Sequence, residues 1–191
     1  MKKTALTIAV CMLVVGLFAG CSSSGNNSGK ASSATSSVQQ SEKFNLGNLS
    51  FQGIDGETYS DIFKNNKMTM VNIMATWCSP CVKELPELQQ LYANLQGRNI
   101  GLVAVVLDTA EGGKINQQAI EEAKVLPSQA GISFPMLIPD SSGLDGFMET
   151  VQVVPTTIFV DQNGTIVSAV TGSKNYQAWL NVVGEMESKL G

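Results

Sequence analysis

The sequence predicts an α/β protein whose mixed sheet is covered by helices on both faces. Strands and helices alternate between residues 43 and 191, and the last two strands form an antiparallel hairpin. The composition is that of a folded domain, because 43% of the 191 residues are hydrophobic and 15% are charged. A chain of this length suits one domain.

Seven segments predict strands, because each is either mostly apolar or alternates between apolar and polar residues. In chain order they are 44–46, 49–51, 68–75, 100–107, 134–138, 156–160 and 165–170. The first two flank Gly47-Asn48 and predict an N-terminal hairpin, while Asn163-Gly164 predicts the turn of the last hairpin. The nearly continuous apolar run 100–107 is typical of a central strand in a parallel sheet.

Helices are predicted between these strands and at the end of the chain. The segments are 59–65, 79–96, 115–130, 144–151 and 176–190. Along 79–96 the apolar residues recur at spacings of three and four, which places them on one helix face. They are Val82, Leu85, Leu88, Leu91, Tyr92 and Leu95.

Charge and histidine content exclude several classes of protein. The net charge of −4 argues against a nucleic-acid partner, because phosphate recognition needs clustered Lys and Arg. Histidine is absent, so the commonest metal ligand and general base are both missing. The sequence implies no metal and no cofactor. Six methionines after the leader are interpreted as core residues: Met68, Met70, Met74, Met136, Met148 and Met186.

The first twenty residues are typical of a signal peptide. Lys2 and Lys3 precede a short apolar run, which ends in the small residues Ala19 and Gly20 before Cys21. The end of this run resembles the lipobox of bacterial lipoproteins, in which the cysteine is acylated. Phe18 holds the place where leucine is usual in that motif. A plain signal peptide or an uncleaved anchor is the alternative.

This interpretation divides the chain into three parts. Residues 1–20 are the lipoprotein signal peptide, and Cys21 carries lipid. Residues 21–42 are rich in Ser, Gly and Asn and show no apolar periodicity, so we expect a tether about 25 Å in end-to-end distance. Residues 43–191 form the folded domain.

The motif that carries chemistry is Trp77-Cys78-Ser79-Pro80-Cys81, between a predicted buried strand and a predicted helix. A helix N-terminus stabilises a thiolate, so Cys78 is expected to be the exposed nucleophile. Cys81 lies one turn further along and can close a disulfide with Cys78. Pro80 fits in the first turn, where a missing N–H costs little. This spacing suits thiol–disulfide exchange.

Two other interpretations of the cysteine pair are weaker. A zinc site needs more ligands than the chain offers after the leader, where Cys21 is the only further cysteine and there is no histidine. A purely structural disulfide is possible in an extracytoplasmic protein, but so short a loop would constrain little.

The domain resembles the thioredoxin superfamily, specifically its extracytoplasmic, membrane-anchored TlpA-like branch of the ResA type. Three stretches carry the resemblance: 71–86 around the two cysteines, 153–161 with Pro155-Thr156, and the Asn163-Gly164 turn with the strand after it. The resemblance implies a thioredoxin-like fold, in which residues 115–130 belong to a central helical insertion. A Pro-x-x-x-Thr-x-x-Cys lead, as in peroxiredoxins, is missing, since Val71 holds the place of the proline.

The resemblance also assigns roles to several residues. Pro155 matches the cis-proline that lies against the dithiol, and Thr156 is expected to offer backbone groups to a bound peptide. Asn72 stands where cytoplasmic thioredoxins carry an aspartate. Trp77 is expected to shield the disulfide and pack on the sheet edge.

Glu84 matches an acidic residue near the active site of that branch. Such a carboxylate takes the proton of Cys81 or disfavours the thiolates. The alternative is a solvated carboxylate on an exposed helix face.

The implied function is an extracytoplasmic thiol–disulfide oxidoreductase, lipid-anchored on the outer face of the bacterial cytoplasmic membrane. The expected direction is reductive. A membrane dithiol protein would supply electrons to a protein disulfide, in apocytochrome c or a methionine sulfoxide reductase. Two alternatives remain open: an oxidase that forms disulfides in secreted proteins, and a non-catalytic anchored binding domain with a structural disulfide.

Overall fold

The computed structural model describes residues 45–47, 49–139 and 145–190. The predicted signal peptide, the predicted lipidation site Cys21 and the predicted tether therefore lie outside the described residues.

The chain forms a seven-stranded mixed sheet with helices packed on it. The elements in chain order are β1 (Phe51–Gly53), β2 (Thr58–Tyr59), β3 (Met68–Met74), α1 (Ser79–Leu95), β4 (Ile100–Val106), a 3₁₀ turn (Leu107–Thr109), β5 (Ala110–Glu111), β6 (Lys114–Ile115), α2 (Gln117–Ala130), β7 (Met136–Ile138), α3 (Asp145–Met148), β8 (Thr156–Asp161), β9 (Ile166–Thr171) and α4 (Tyr176–Leu190). The strand order is β2-β1-β7-β4-β3-β8-β9, and β5 and β6 form a separate hairpin.

Strand β3 lies at the centre of this sheet and is buried along its whole length. It pairs in parallel with β4, with Met74 opposite Val106, and antiparallel with β8, with Ile73 opposite Thr156. A strand buried on both faces is apolar nearly throughout, as the sequence of β3 predicted. These two registers bring the ends of β3 and β4 and the start of β8 together.

The core divides into two apolar clusters. Because side chains alternate along a strand, Met70 and Met74 join α1, α2 and α4, whereas Val71 and Ile73 join Phe63 and Met148 of the other cluster. The six methionines from Met68 to Met186 are at most 7% exposed, which confirms their interpretation as core residues. In the part of the chain described here, none of the helices has both the length and the apolar character needed to cross a membrane.

Most predicted elements are confirmed, including the strands at the centre of the sheet and the three long helices. The insertion between β4 and β7 is also present. It contains α2, whose first turn is capped by Asn116, since its Oδ1 accepts a hydrogen bond from the Ala119 amide at 3.2 Å. The short β5–β6 hairpin before α2 was not predicted. Ile115 belongs to this hairpin rather than to the helix.

The N-terminal part differs from the prediction in two places. An N-terminal hairpin forms, but its strands are β1 and β2 and not 44–46 and 49–51, because Asn45 bridges to Thr165 and Phe51 pairs with Tyr59. The helix predicted over 59–65 is absent. Its first residue is drawn into β2, and Asp61 adopts a left-handed φ of 56°, which interrupts a helix.

Gly164 and Gly172 offer a matched test of packing at the edge of the sheet, because both have a φ of +81°. A Cβ at Gly164 would lie 1.9 Å from the backbone nitrogen of Gly47, whereas a Cβ at Gly172 would meet nothing within 4 Å. We expect Gly164→Ala to lower the free energy of unfolding by about 3 kcal/mol, from backbone strain and overpacking together. Gly172→Ala should cost about 1 kcal/mol from strain alone. Urea unfolding of the oxidised protein measures both, and equal losses would contradict this packing.

Candidate active site

The two cysteines lie where β3 leads into α1. Cys78 caps the N-terminus of α1, and its Sγ is bonded to that of Cys81 at 2.02 Å, with the Cα atoms 5.2 Å apart. The Cys78 sulfur also accepts a hydrogen bond from the Cys81 amide at 3.3 Å. Pro80 stands in the first turn, as predicted. An amide of the helix N-terminus therefore bonds the sulfur that the sequence identifies as the nucleophile.

The expected exposure of Cys78 is wrong in this disulfide form. Cys78 is 4% exposed and Cys81 is 1% exposed, because both join the apolar cluster beneath α1. Ser79 and Pro80 between them are exposed. A partner therefore reaches the disulfide over the surface of the first helical turn.

Trp77 does not pack on the sheet edge, so that expectation is also wrong. Its side chain is 71% exposed, because the residue lies in the turn after β3 has ended. The buried tryptophan is Trp179 of α4, which is fully enclosed. Trp77 thus presents a large apolar surface beside the disulfide.

Pro155 is buried at the start of β8, next to the end of β3 that leads to Cys78. The Val154–Pro155 peptide bond is cis, as the resemblance implied. The Pro155 carbonyl accepts a hydrogen bond from the Gly172 amide at 2.8 Å. Thr156 is largely buried, and its hydroxyl donates to the Val153 carbonyl at 2.7 Å, so this side chain stabilises its own loop.

Glu84 is buried and not solvated, so the interpretation as an exposed helix face is wrong. Only 2% of its surface is exposed, because this side of α1 packs against α4. Its Oε1 accepts hydrogen bonds from the Lys174 amide at 2.7 Å and from the Trp179 indole N–H at 2.9 Å. Its Oε2 is equally buried and has no hydrogen-bond partner among the described residues.

Burial raises the pKa of Glu84 above the ordinary value of a glutamate, although the hydrogen bonds from Lys174 and Trp179 and the nearby Asn72 side chain oppose the shift. A carboxyl group in this environment holds its proton to a higher pH than an exposed one. It is thus placed to exchange a proton one helical turn from Cys81.

Asn72 lies on the same face of β3 as Met70 and Met74, which is the face that α1 covers. It is 1% exposed and donates a hydrogen bond from Nδ2 to the hydroxyl of Thr157 at 3.0 Å. Sequence reasoning missed Thr157. A signal existed, since Thr156-Thr157 places polar residues at the start of an otherwise apolar buried strand.

A cavity of about 330 Å³ opens beside the first turn of α1. It is lined by Ser79, Pro80, Lys83, Glu84, Glu87, Ser173, Lys174 and Asn175. The loop after β9 forms part of its wall. This loop is held in place, since Glu87 accepts the Tyr176 amide at 2.7 Å and the Lys174 ammonium lies 5.1 Å from the Trp179 ring. Lys174 and Trp179 were not anticipated. Within the described ranges, Cys, Asp and Glu nowhere gather in a group of three or more that could hold a metal ion.

The raised pKa of Glu84 gives a pH-dependent stability. The folded state favours the neutral form of Glu84. The contribution of Glu84 to the free energy of unfolding is therefore present at acidic pH and is lost as the pH rises through the raised pKa. We expect Glu84→Gln to melt several degrees above the unsubstituted oxidised protein at pH 7, and the gain to shrink towards pH 4. Glu185→Gln, at an exposed position of α4, is the control for loss of charge. If the melting temperatures of the two variants changed with pH in the same way, the raised pKa of Glu84 would be contradicted.

Comparison with proteins of known sequence places this site in a family. The thiol-disulfide oxidoreductase ResA of Oceanobacillus iheyensis is 35% identical over 108 residues, which are 56% of this chain and 50% of ResA. The chain thus matches half the length of that relative. The thioredoxin-like protein YneN of Bacillus subtilis is 29% identical over 152 residues, covering 80% of this chain and 77% of YneN.

Solved structures agree. StoA from Bacillus subtilis superposes with a TM-score of 0.55 at 26% identity, covering 70% of this chain and 93% of StoA. The pneumococcal exposed lipoprotein thioredoxin Etrx1 from Streptococcus pneumoniae superposes with a TM-score of 0.53 at 27% identity, covering 72% of this chain and 98% of Etrx1. The fold is therefore thioredoxin-like, as predicted. The sequence model of the AhpC/TSA family matches residues 39–169, so the chain belongs to the AhpC/TSA family.

Proposed function

We propose that this protein is a thiol–disulfide oxidoreductase whose Cys78–Cys81 pair, as a dithiol, exchanges with disulfides of protein substrates and becomes the disulfide in doing so. The observation that carries the proposal is the disulfide at the N-terminus of α1, at the end of β3 beside Pro155. The name of ResA describes the same chemistry in a relative. So does the name of a thiol:disulfide interchange protein from Chlorobium tepidum, whose likeness at 20% identity shows the fold alone.

The reaction in the reductive direction has two steps. The Cys78 thiolate attacks a substrate disulfide, so that a bond forms between Cys78 and one substrate sulfur while the other leaves as a thiolate. Cys81 then attacks the Cys78 sulfur, releases the second substrate thiol and restores the Cys78–Cys81 disulfide. Two electrons pass to the substrate. The amides at the start of α1 favour the attacking thiolate.

Glu84 is the group we assign to the proton of Cys81. Its unpartnered Oε2 is free to accept a proton in the second step, and burial favours the protonated form of this carboxyl. The nearby Asn72 side chain on β3 favours its charged form.

Exposed apolar residues around the disulfide support binding of a substrate segment. Trp77 is 71% exposed, and Val153, two residues before Pro155, is 57% exposed. An extended substrate would lie between these side chains and contact the chain that leads into Pro155 and Thr156. Ser79 and Pro80, both exposed, would contact it from the helix.

We also propose a location and partners for this protein. Acylation at Cys21 would hold the domain on the outer face of the cytoplasmic membrane through a tether of residues 21–42. The name of Etrx1, an exposed lipoprotein thioredoxin, supports this anchoring. A membrane dithiol protein would reduce the Cys78–Cys81 pair, and the electrons would pass to apocytochrome c or to a methionine sulfoxide reductase.

Exchange chemistry predicts a trapped intermediate. Cys81→Ala should accumulate a mixed disulfide between Cys78 and a substrate, because the second step is lost, and should lower insulin reduction at least 100-fold. Cys78→Ala, the matched control, should trap nothing. Non-reducing electrophoresis and mass spectrometry detect the adduct. Full insulin turnover by both variants would show that the cysteine pair is not needed, and none by the unsubstituted protein would support a static disulfide instead.

The reduction potential of the Cys78–Cys81 pair decides the direction of transfer. The pair is equilibrated with dithiothreitol buffers and followed by Trp77 fluorescence, with Trp77→Phe as the control for this signal. We expect a reduction potential of about −270 mV, as for thioredoxin. A value near about −120 mV would reverse the direction and make the protein a disulfide donor.

A further inference from the structure

The residue two positions before Cys78 is held by a carboxylate from another part of the chain. The Thr76 amide donates to both oxygens of Asp108, at 3.0 and 3.2 Å, and the Thr76 hydroxyl donates a short hydrogen bond to Oδ2. One carboxylate thus binds both polar hydrogens of Thr76. The proposed exchange mechanism does not use this contact.

The sheet explains why these two residues meet. Met74 and Val106 are opposite each other at the ends of the parallel strands β3 and β4. Thr76 and Asp108 each follow two residues later, so the register places them side by side. The 3₁₀ turn that carries Asp108 is itself fixed, because the buried Thr109 donates from its hydroxyl to Val106 at 2.6 Å.

A second carboxylate approaches the same hydroxyl. Glu122 of α2 lies with Oε2 3.3 Å from the Thr76 oxygen, while its Oε1 accepts a bond from Gln118 at 3.0 Å. The Thr76 hydroxyl has one proton and serves one carboxylate at a time. The shorter contact, together with the amide, assigns it to Asp108.

We propose that Asp108 is a positioning residue for Cys78: it fixes the turn that carries the nucleophile, and its negative charge restrains formation of the Cys78 thiolate. This inference rests on the proposed function, for which Cys78 is the attacking sulfur. The chain from the Thr76 amide to the Cys78 amide spans at most about 7 Å, so the carboxylate acts at short range on the N-terminus of α1.

Other charged groups surround the same turn, and they are identical in the parent protein and in a variant that lacks the Asp108 charge. Glu122 approaches it from α2, and the cavity beside Ser79 and Pro80 contributes Lys83, Glu84, Glu87 and Lys174. Asp108 is distinguished by its direct bonds to the backbone of the turn. Its removal should therefore affect Cys78 more than removal of another acidic residue of the insertion.

The test is the rate at which iodoacetamide alkylates Cys78 in the full chain with Cys81→Ala, measured from pH 5 to pH 10. Alkylation follows the thiolate, so Asp108→Asn should raise the rate at acidic pH by about threefold or more and leave the alkaline plateau unchanged. Glu121→Gln is the matched control. It removes the same charge from α2, but that carboxylate binds Lys124 at 2.8 Å and does not contact Thr76.

A pair of variants at Thr76 keeps the inference testable if Asp108→Asn does not fold. Thr76→Val removes the hydroxyl that shields the Asp108 charge, so alkylation at acidic pH should slow, and Thr76→Ser should restore the original profile. Coincident profiles for Asp108→Asn, Glu121→Gln and the parent would overturn the proposal, as would a change confined to the alkaline plateau. The readout needs no protein substrate, so its failure is distinct from failure of insulin reduction.

Discussion

The pairing of β3 with a parallel strand on one side and an antiparallel strand on the other is the constraint on which the site depends. Its two registers bring the end of β3, the end of β4 and the start of β8 to one place. The disulfide, Asp108 and Pro155 each come from one of these three positions. A slip of one residue in either pairing would turn the side chains of a strand to the opposite face and separate them.

Behind the disulfide, a small group of buried polar side chains stands where most of the core is apolar. Glu84, Asn72 and Thr157 are each at most 2% exposed, and they come from α1, β3 and β8. Burying a carboxyl group with one unpartnered oxygen costs stability, and such a cost is typical of residues retained for chemistry. Trp179 and the Lys174 amide hold the other oxygen and link α4 to this group.

The two flanks of the disulfide differ in character. On one side, Asp108 and Glu122 of the insertion approach Thr76. On the other, Glu84 and Glu87 of α1 accept amides that precede and begin α4. Carboxylates of the insertion and of α1 thus hold the chain before and beside the first helical turn, while Trp77 and Val153 are exposed.

The sequence by itself determined the strands and helices of the central sheet, because their apolar periods are long and regular. It also determined the cysteine pair and its place at a helix N-terminus, since both are local features of residues 68–96. The short N-terminal segments failed because Phe51 and Tyr59 are paired by tertiary contacts that outweigh local preference.

Only the tertiary structure decided the surroundings of the disulfide. Thr157 lies 85 residues from Asn72 and Trp179 lies 95 residues from Glu84, so no local pattern joins these partners. Burial of Cys78 and exposure of Trp77 were likewise decided by packing, because adjacent residues of a turn point in different directions. Spacing along the chain fixes which groups react, whereas strand register and burial fix which groups surround them.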